Sequence, residues 1–180
     1  MKRLFLMKPM TYTNQNVDGW WLSEKLDGIR AFWDGGITTG LPASIVPFAN
    51  DDRTATGLWT NLGKVINAPK WFVNGLPKIQ LDGELWIGRS NFQQLVSTVR
   101  KYDPVDSEWD RVKYMVWDVP SVCGMFDPSI KEWVLEKRKK AGVSGYVYPA
   151  MLSDTYMYLK EVLQDHPYVS VVEQHIVSDW

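Results

Sequence analysis

A lysine and an arginine flank an Asp-Gly pair near the start of this 180-residue chain. Lys25 lies just before Asp27-Gly28, and Arg30 follows just after it. A protonated lysine, whose free pKa is roughly 10.4, is a poor nucleophile, but desolvation or a neighbouring cation favours the reactive neutral amine. An arginine fork and a lysine point charge together suit a polyphosphate. The octapeptide from Ser23 to Arg30 is therefore the candidate reactive centre, and a hairpin with surface charges is the alternative interpretation.

The elements around this octapeptide decide where its side chains lie. Asp-Gly is a strong tight-turn signal, and the runs at 20–26 and 29–33 read as strands. The pattern predicts a hairpin with Lys25 at a strand end and Arg30 on the returning strand. Residues 35–63 are rich in Gly, Thr, Pro, Asn and Asp, which predicts a long loop or insertion.

A second group of polar residues lies on a strand predicted at 78–88. Alternation places Asp82, Glu84 and Trp86 on one face and apolar residues on the other. Residues 111–119 alternate in the same way, include Trp117, and are ended by Pro120. These two runs predict neighbouring core strands that carry carboxylates and an aromatic ring.

The remaining elements are helices and one further strand. Ser90 or Asn91 is the expected N-cap of the clearest helix, whose apolar stripe runs from Phe92 to Val99. Asp127-Pro128 opens another helix that Gly142 closes. Its basic run at 137–140 suits either nucleic acid or the helix macrodipole. A short helical turn is predicted at 68–73, a third helix at about 153–165, and a strand at 168–177.

Composition narrows the class of protein. The length suits one domain with a real core, and a formal net charge of -1 excludes a uniformly basic nucleic-acid coat. Ten Trp, eight Tyr and six Phe supply the core and offer flat faces on which a base can stack. One cysteine and two histidines argue against a disulfide and a Cys/His zinc site. No segment approaches a membrane span or a signal-peptide core, and a single cysteine fits a reduced compartment, so we expect a cytoplasmic protein.

Three motifs occur in the order seen in covalent nucleotidyltransferases, the class of ATP-dependent DNA ligases, RNA ligases and mRNA capping enzymes. They are Lys25-Leu26-Asp27-Gly28-Ile29-Arg30, Asp82-Gly83-Glu84, and Trp117-Asp118. Two longer segments are similar to sequences of the small ATP-dependent DNA ligases of bacteria and phages. They are Ala-Pro-Lys-Trp-Phe and Leu-Asp-Gly-Glu-Leu-Trp-Ile-Gly-Arg. The resemblance extends over essentially the whole chain.

The resemblance implies a fold and a reaction. The fold would be α+β, with two antiparallel sheets flanked by helices, as in the ATP-grasp-like nucleotidyltransferase domain of DNA ligases and capping enzymes. ATP and Mg²⁺ would be the cofactors and nicked double-stranded DNA the partner. The processes would be DNA repair, replication and recombination in the cytoplasm of a bacterial or phage-infected cell. AMP would be held on a lysine, pass to the 5′-phosphate at a nick, and leave when the 3′-OH seals it.

The resemblance also assigns roles to individual residues. Lys25 would be the nucleophile that becomes lysyl-AMP. Arg30 would contact the nucleotide sugar, Glu84 would lie near the ribose and the divalent metal, and Trp117 would stack on adenine. The residues expected to line the base are Ser23, Glu24 and Leu26.

The chain departs from the family in two places. Thr60-Asn61 stands where a Ser-Arg pair is usual, so phosphate binding would weaken unless Arg53 or Lys64 substitutes. No Glu-Gly pair occurs. Lys137-Arg138-Lys139 matches the family's Lys-x-Lys motif in residue types only, because it lies on a predicted helix and too early in the chain. We therefore expect residues 1–180 to be an adenylation domain that lacks its C-terminal part and the OB-fold domain.

Such a chain would be weak or inactive alone and would depend on a complementing chain or domain; otherwise it would be a monomer. Two other interpretations stay open at this point. One is an RNA ligase or a capping-type guanylyltransferase that uses GTP. The other is a non-catalytic nucleotide-binding relic or one half of a split protein.

Overall fold

The computed structural model of the chain describes residues 6–120, 128–140, 142 and 152–178. Its strands are β1 (Trp21–Ser23), β2 (Ile29–Asp34), β3 (Leu58–Thr60), β4 (Gln80–Trp86), β5 (Lys113–Asp118), β6 (Val169–Val171) and β7 (Gln174–Ile176). Its α-helices are α1 (Lys70–Asn74), α2 (Phe92–Val99), α3 (Asp106–Trp109), α4 (Pro128–Lys140) and α5 (Leu152–Val162). A short 3-10 helix covers Ala43–Ile45.

The strands form two sheets, which confirms the predicted α+β class. The larger sheet has the order β3-β2-β4-β5-β6, and β1 pairs with β7 in a two-stranded sheet. All pairs are antiparallel except β5 with β6, which is parallel. A parallel pair needs a long crossover connection, and the helical segment between β5 and β6 supplies it.

The predicted hairpin across Asp27-Gly28 is wrong. β1 pairs with β7 rather than with β2, and β2 pairs with β3 and β4. Gly28 is needed here for close approach: a Cβ on it would lie 2.4 Å from the backbone oxygen of Leu85 and 2.7 Å from Cγ of Glu84. Residues 24–28 therefore cross from one sheet to the other, pressed against β4.

One face of the large sheet carries the main core. Its buried members include Trp33 of β2, Leu85 of β4 and Tyr114 of β5, packed against Phe72 of α1 and Leu159 of α5. Apolar burial of this extent is the main stabilising contribution to the fold. The opposite face carries polar residues of β2 and β4 together with part of a second buried cluster.

The segment predicted as a long loop is more ordered than its composition suggested. It contains β3, and its residues Ala43, Val46 and Ala55 form a second buried cluster with Phe32 and Trp59. Asp34 stabilises this cluster, because its carboxylate accepts the Thr38 hydroxyl and the Trp59 indole N–H. Sequence composition could not reveal β3, since a three-residue strand has almost no periodicity.

The other predicted elements differ in detail. α2 is confirmed, and so is the short turn that became α1. The run at 168–177 is split between β6 and β7, which lie in different sheets. The predicted helix start at Asp127 lies outside the described residues, whereas Gly142, with a φ of 70°, follows the end of α4. No helix in the described ranges is both long and apolar enough to cross a bilayer.

Candidate functional site

An ion pair between β2 and β4 lies at the centre of the polar face. Arg30 donates from Nε to Oδ1 of Asp82 at 3.1 Å and from Nη2 to Oδ2 at 2.6 Å. The same Nη2 also donates to the carbonyl oxygen of Met7. Asp82 is 0% exposed, and this burial raises its pKa although the Arg30 guanidinium opposes the shift. Two parallel hydrogen bonds to a buried carboxylate fix both the position and the plane of the guanidinium.

Trp117 contacts the same carboxylate from β5. Its indole Nε1 donates to Oδ2 of Asp82 at 3.3 Å, and the Arg30 guanidinium carbon lies 5.6 Å from its ring centroid. The register of β4 and β5 shifts between Asp82 and Gly83, as at a β-bulge. A bulge re-aims side chains on the longer strand. Asp82 therefore holds together two of the residues that were predicted to bind the nucleotide, Arg30 and Trp117.

Glu84 faces the crossing segment that carries Lys25. The Gly28 N–H donates to Oε1 of Glu84 at 2.6 Å. Burial raises the pKa of Glu84, while the Gly28 hydrogen bond and the positive charge of Lys25 lower it. Lys25 is itself exposed. Lys25 lies three residues before Gly28, so the Gly28–Glu84 hydrogen bond holds the segment that carries the amine at this end of the site.

Asp118 was not predicted as a site residue, although it directly follows Trp117. It lies opposite Asp82 in the register. Burial, together with the negative charge of Asp82, raises its pKa to about 6. Asp82 was also missed as a site residue, even though strand alternation had already placed it on the same face as Glu84. The missing information was the pairing register, which decides which carboxylate faces Arg30.

The three residues predicted to line the base are placed differently from one another. Ser23 ends β1 and is exposed, while Leu26 is buried. Glu24 forms an exposed ion pair with Arg89 at 2.6 Å. All three lie within two residues of Lys25, but their roles toward a base stay predictions.

Neither cation proposed to replace the missing arginine is positioned in the core of this site. Arg53 donates to the carboxylate of Asp51 and to the carbonyl oxygen of Val65. Its hydrogen bond to Asp51 holds the pKa of that carboxyl far below its usual range. Lys64 is exposed beside the turn at Thr60-Asn61. Arg53 is therefore committed to the second buried cluster.

The basic run of α4 is partly engaged in ion pairs. Lys137 contacts Glu161 of α5 at 2.8 Å, and Lys140 contacts Glu136 one turn earlier at 2.6 Å. Exposed pairs of this kind contribute little to stability. They favour the surface interpretation of this run over a dedicated nucleic-acid contact.

The donors present fit a magnesium ion only in part. Among the residues the structure describes, no group of three or more His, Cys, Asp or Glu side chains is arranged to hold a metal ion. Mg²⁺ is usually bound by one or two carboxylates together with substrate phosphates. Glu84 fits that pattern as a single protein ligand, with the other oxygens coming from a bound nucleotide.

A cavity of about 520 Å³ lies apart from this cluster. It is lined by Arg53, Thr54, Thr56, the segment Asn67–Trp71, Tyr102, Pro104 and Asp106, none of which belongs to the Lys25 group. Because the convergent charged side chains are at Arg30 and Glu84, the candidate site is taken to be there and not at this cavity.

Comparison with known proteins points to one class of enzyme. No protein-family model matches the chain. Over 176 residues it is 30% identical to a DNA ligase of Haemophilus influenzae, a match that covers 97% of this chain and 48% of the ligase. In sequence, the chain is similar to part of a DNA ligase. The fold is also similar to that of a solved structure from a study of Lig E DNA ligases and DNA binding with a minimal scaffold. That match has a TM-score of 0.55 and 29% identity, and it covers 99% of this chain and 53% of the other. The ligase-like chain thus spans about half the length of the relatives it matches.

Proposed function

We propose that this ligase-like chain carries out the nucleotidyl-transfer chemistry of an ATP-dependent DNA ligase, with Lys25 as the nucleophile. The observation that carries the proposal is the shared Asp82 carboxylate, which holds Arg30 and Trp117 together beside Glu84 and the Lys25 segment. A guanidinium, a stacking ring, a carboxylate and an amine on one face are the groups that a nucleotide-transfer site requires.

The first step would make a phosphorus–nitrogen bond. The neutral amine of Lys25 attacks the α-phosphorus of ATP and loses a proton, and pyrophosphate leaves with the electron pair of the broken P–O bond. In the second step an oxygen of a DNA 5′-phosphate attacks the same phosphorus and releases Lys25. In the third, the 3′-OH at the nick attacks the activated 5′-phosphate and AMP leaves. Such transfers depend on positioning and charge neutralisation more than on covalent help.

Each remaining side chain has a role that follows from its position. Arg30, held flat by Asp82, would donate to the sugar hydroxyls or to a phosphate oxygen. Trp117 would stack on the adenine ring. Glu84, whose Oε1 is occupied by Gly28, would present Oε2 to the ribose or to Mg²⁺. A bound Mg²⁺ would neutralise negative charge on the phosphates.

Intact-mass measurement of the purified chain after incubation with ATP and Mg²⁺ tests the proposal. We expect the wild type to gain the mass of one adenylyl group and Lys25→Ala to gain none. Lys78→Ala is the matched control, because Lys78 is also an exposed lysine but lies on the approach to β4, and it should be adenylated normally.

Other outcomes would favour the other interpretations. An adduct formed from GTP but not from ATP would support a capping-type enzyme. A folded chain that forms no adduct with either nucleotide would support a nucleotide-binding relic. We also expect negligible sealing of a nicked duplex by this chain alone, and efficient sealing would refute our account of which phosphate-binding groups the reaction needs.

A further inference from the structure

The cavity of about 520 Å³ beside α1 has no role in the chemistry described above. Its volume falls in the range of small-molecule sites. Two aromatic side chains of its lining are exposed: Tyr102 is 70% exposed and Trp71 is 38% exposed. Large exposed aromatic rings beside a concave surface are typical of binding sites.

The polar groups of this cavity are held in position by the fold. Asn67 donates from Nδ2 to the carbonyl oxygen of Tyr102 at 2.7 Å, which joins the two sides of the cleft and leaves Oδ1 of Asn67 as an acceptor. Arg53 is fixed by Asp51 and by the carbonyl of Val65. The hydrogen bond to Asp51 is the largest cause of the raised pKa of Arg53, and the Tyr102 phenol contributes in the same direction.

The charged side chains that line the cleft restrict the chemical class of the ligand. Asp51 neutralises Arg53, and the exposed Lys70 and Asp106 carry opposite charges at the rim. A highly charged polyphosphate is therefore disfavoured. A neutral, flat group with a hydrogen-bonding edge and a single attached phosphate matches the lining better: the ring would lie on Tyr102 or Trp71, its edge on Asn67, and the phosphate at Lys70.

We propose that this cleft is a second nucleotide-binding site, which takes one nucleobase with its adjoining phosphate. The site is separate from the Lys25 group, and the proposal does not depend on adenylyl transfer. The same chemistry is presented by a free mononucleotide and by one nucleotide of a DNA strand.

Titration of the isotope-labelled chain with dTMP, AMP and a five-residue dT oligonucleotide, followed by amide chemical shifts, tests this proposal. We expect shifts at Asn67, Lys70, Trp71 and Tyr102 with each probe that binds here. Equal affinity for dTMP and the oligonucleotide would identify a mononucleotide site, whereas much tighter binding of the oligonucleotide would identify a DNA strand.

Exposed side chains allow variants that leave the core intact. Tyr102→Ala should weaken binding at the cleft by about fivefold or more, while Tyr102→Phe keeps the stacking face and should bind almost normally. Lys70→Ala should lower the dependence of oligonucleotide affinity on salt by about one phosphate contact. Lys78→Ala is the matched control and should change neither quantity.

The proposal is overturned if no probe shifts the amides of the cleft, or if the shifts are confined to the Lys25, Arg30, Glu84 and Trp117 region. It is also overturned if Tyr102→Ala binds as tightly as the wild type. Loss of adenylation in Lys25→Ala with unchanged binding at the cleft would show that the two sites are independent.

Discussion

Replacing Gly28 by alanine would push a methyl group into the backbone of β4. The added Cβ would lie 2.4 Å from the carbonyl oxygen of Leu85 and 3.0 Å from Oε1 of Glu84. The Glu84 side chain can rotate away, but the Leu85 carbonyl lies within the paired strand β4 and cannot. The crossing segment would therefore have to move outward, taking Lys25 with it.

The expected loss of stability follows from two contributions. Overpacking of this kind costs about 1–3 kcal/mol, and losing the Gly28 N–H bond to Glu84 costs a further ~1–3 kcal/mol when the carboxylate is left without a donor. The lower chain entropy of unfolded alanine offsets about 0.4–1 kcal/mol. An outward movement of the segment relieves the overpacking but breaks the hydrogen bond, so the first two costs do not simply add. We therefore expect Gly28→Ala to lower the free energy of unfolding by about 1–4 kcal/mol. For a chain of this size that lowers the melting temperature by roughly 3–12 °C.

Urea denaturation followed by circular dichroism measures this change, and intact mass after incubation with ATP measures adenylation. Glu84→Gln is the matched variant, because the amide oxygen still accepts from Gly28 while the negative charge is lost. We expect Glu84→Gln to keep the denaturation midpoint but to adenylate poorly, and Gly28→Ala to lose both. An unchanged midpoint for Gly28→Ala would refute the argument that close approach, and not turn formation, requires glycine here.

Three further outcomes follow from the carboxylates and the ring. Asp82→Asn removes the charge that fixes Arg30, so we expect the free energy of unfolding to fall by about 1–3 kcal/mol and the KM for ATP to rise. This loss is below the range for fully buried pairs, because the Arg30 side chain is 23% exposed. Asp110→Asn, which changes an exposed acid, is the control. Asp118 has its pKa raised from 3.8 to about 6 in the fold, so its contribution to stability is present below pH 4 and lost as pH rises through 6. Between pH 4 and pH 7 the wild type should therefore lose up to roughly 3 kcal/mol relative to Asp118→Asn, and parallel pH profiles of the denaturation midpoint would contradict this. Trp117→Ala should weaken ATP binding by about tenfold and Trp117→Phe much less, measured by calorimetry; equal effects would exclude stacking.

The strands that carry the site could be predicted because their alternation is a property of each strand alone. The predicted ends of β4 and β5 are within two residues of the observed ones for this reason. Glu84 and Trp117 lie on these strands, whereas the motif resemblance, and not alternation, singled out Lys25 and Arg30. Asp82 and Asp118 were recognisable as acids on these strands. Their roles were not, because the facing partner depends on register and on a bulge.

The Asp-Gly pairs show most clearly where local signals end. Gly19 and Gly35 have φ values of 76° and 80°, as turn glycines do. Gly28 and Gly83 instead lie where a side chain would strike neighbouring backbone, Leu85 in one case and Met115 in the other. The dipeptide is the same in all four, so only the packing of distant strands separates a turn from a close approach. That is why the hairpin was predicted and a crossing was found.

The pairing of β1 with β7 joins residues 21–23 to residues 174–176. Closing so long a stretch of chain costs entropy that is recovered only after the intervening elements have formed. The short ribbon that leads into Lys25 is therefore expected to form late, after the five-stranded sheet. Before β1 pairs with β7, the segment that carries Lys25 would not be held beside β4. Adenylation of Lys25 would therefore occur only after folding is complete.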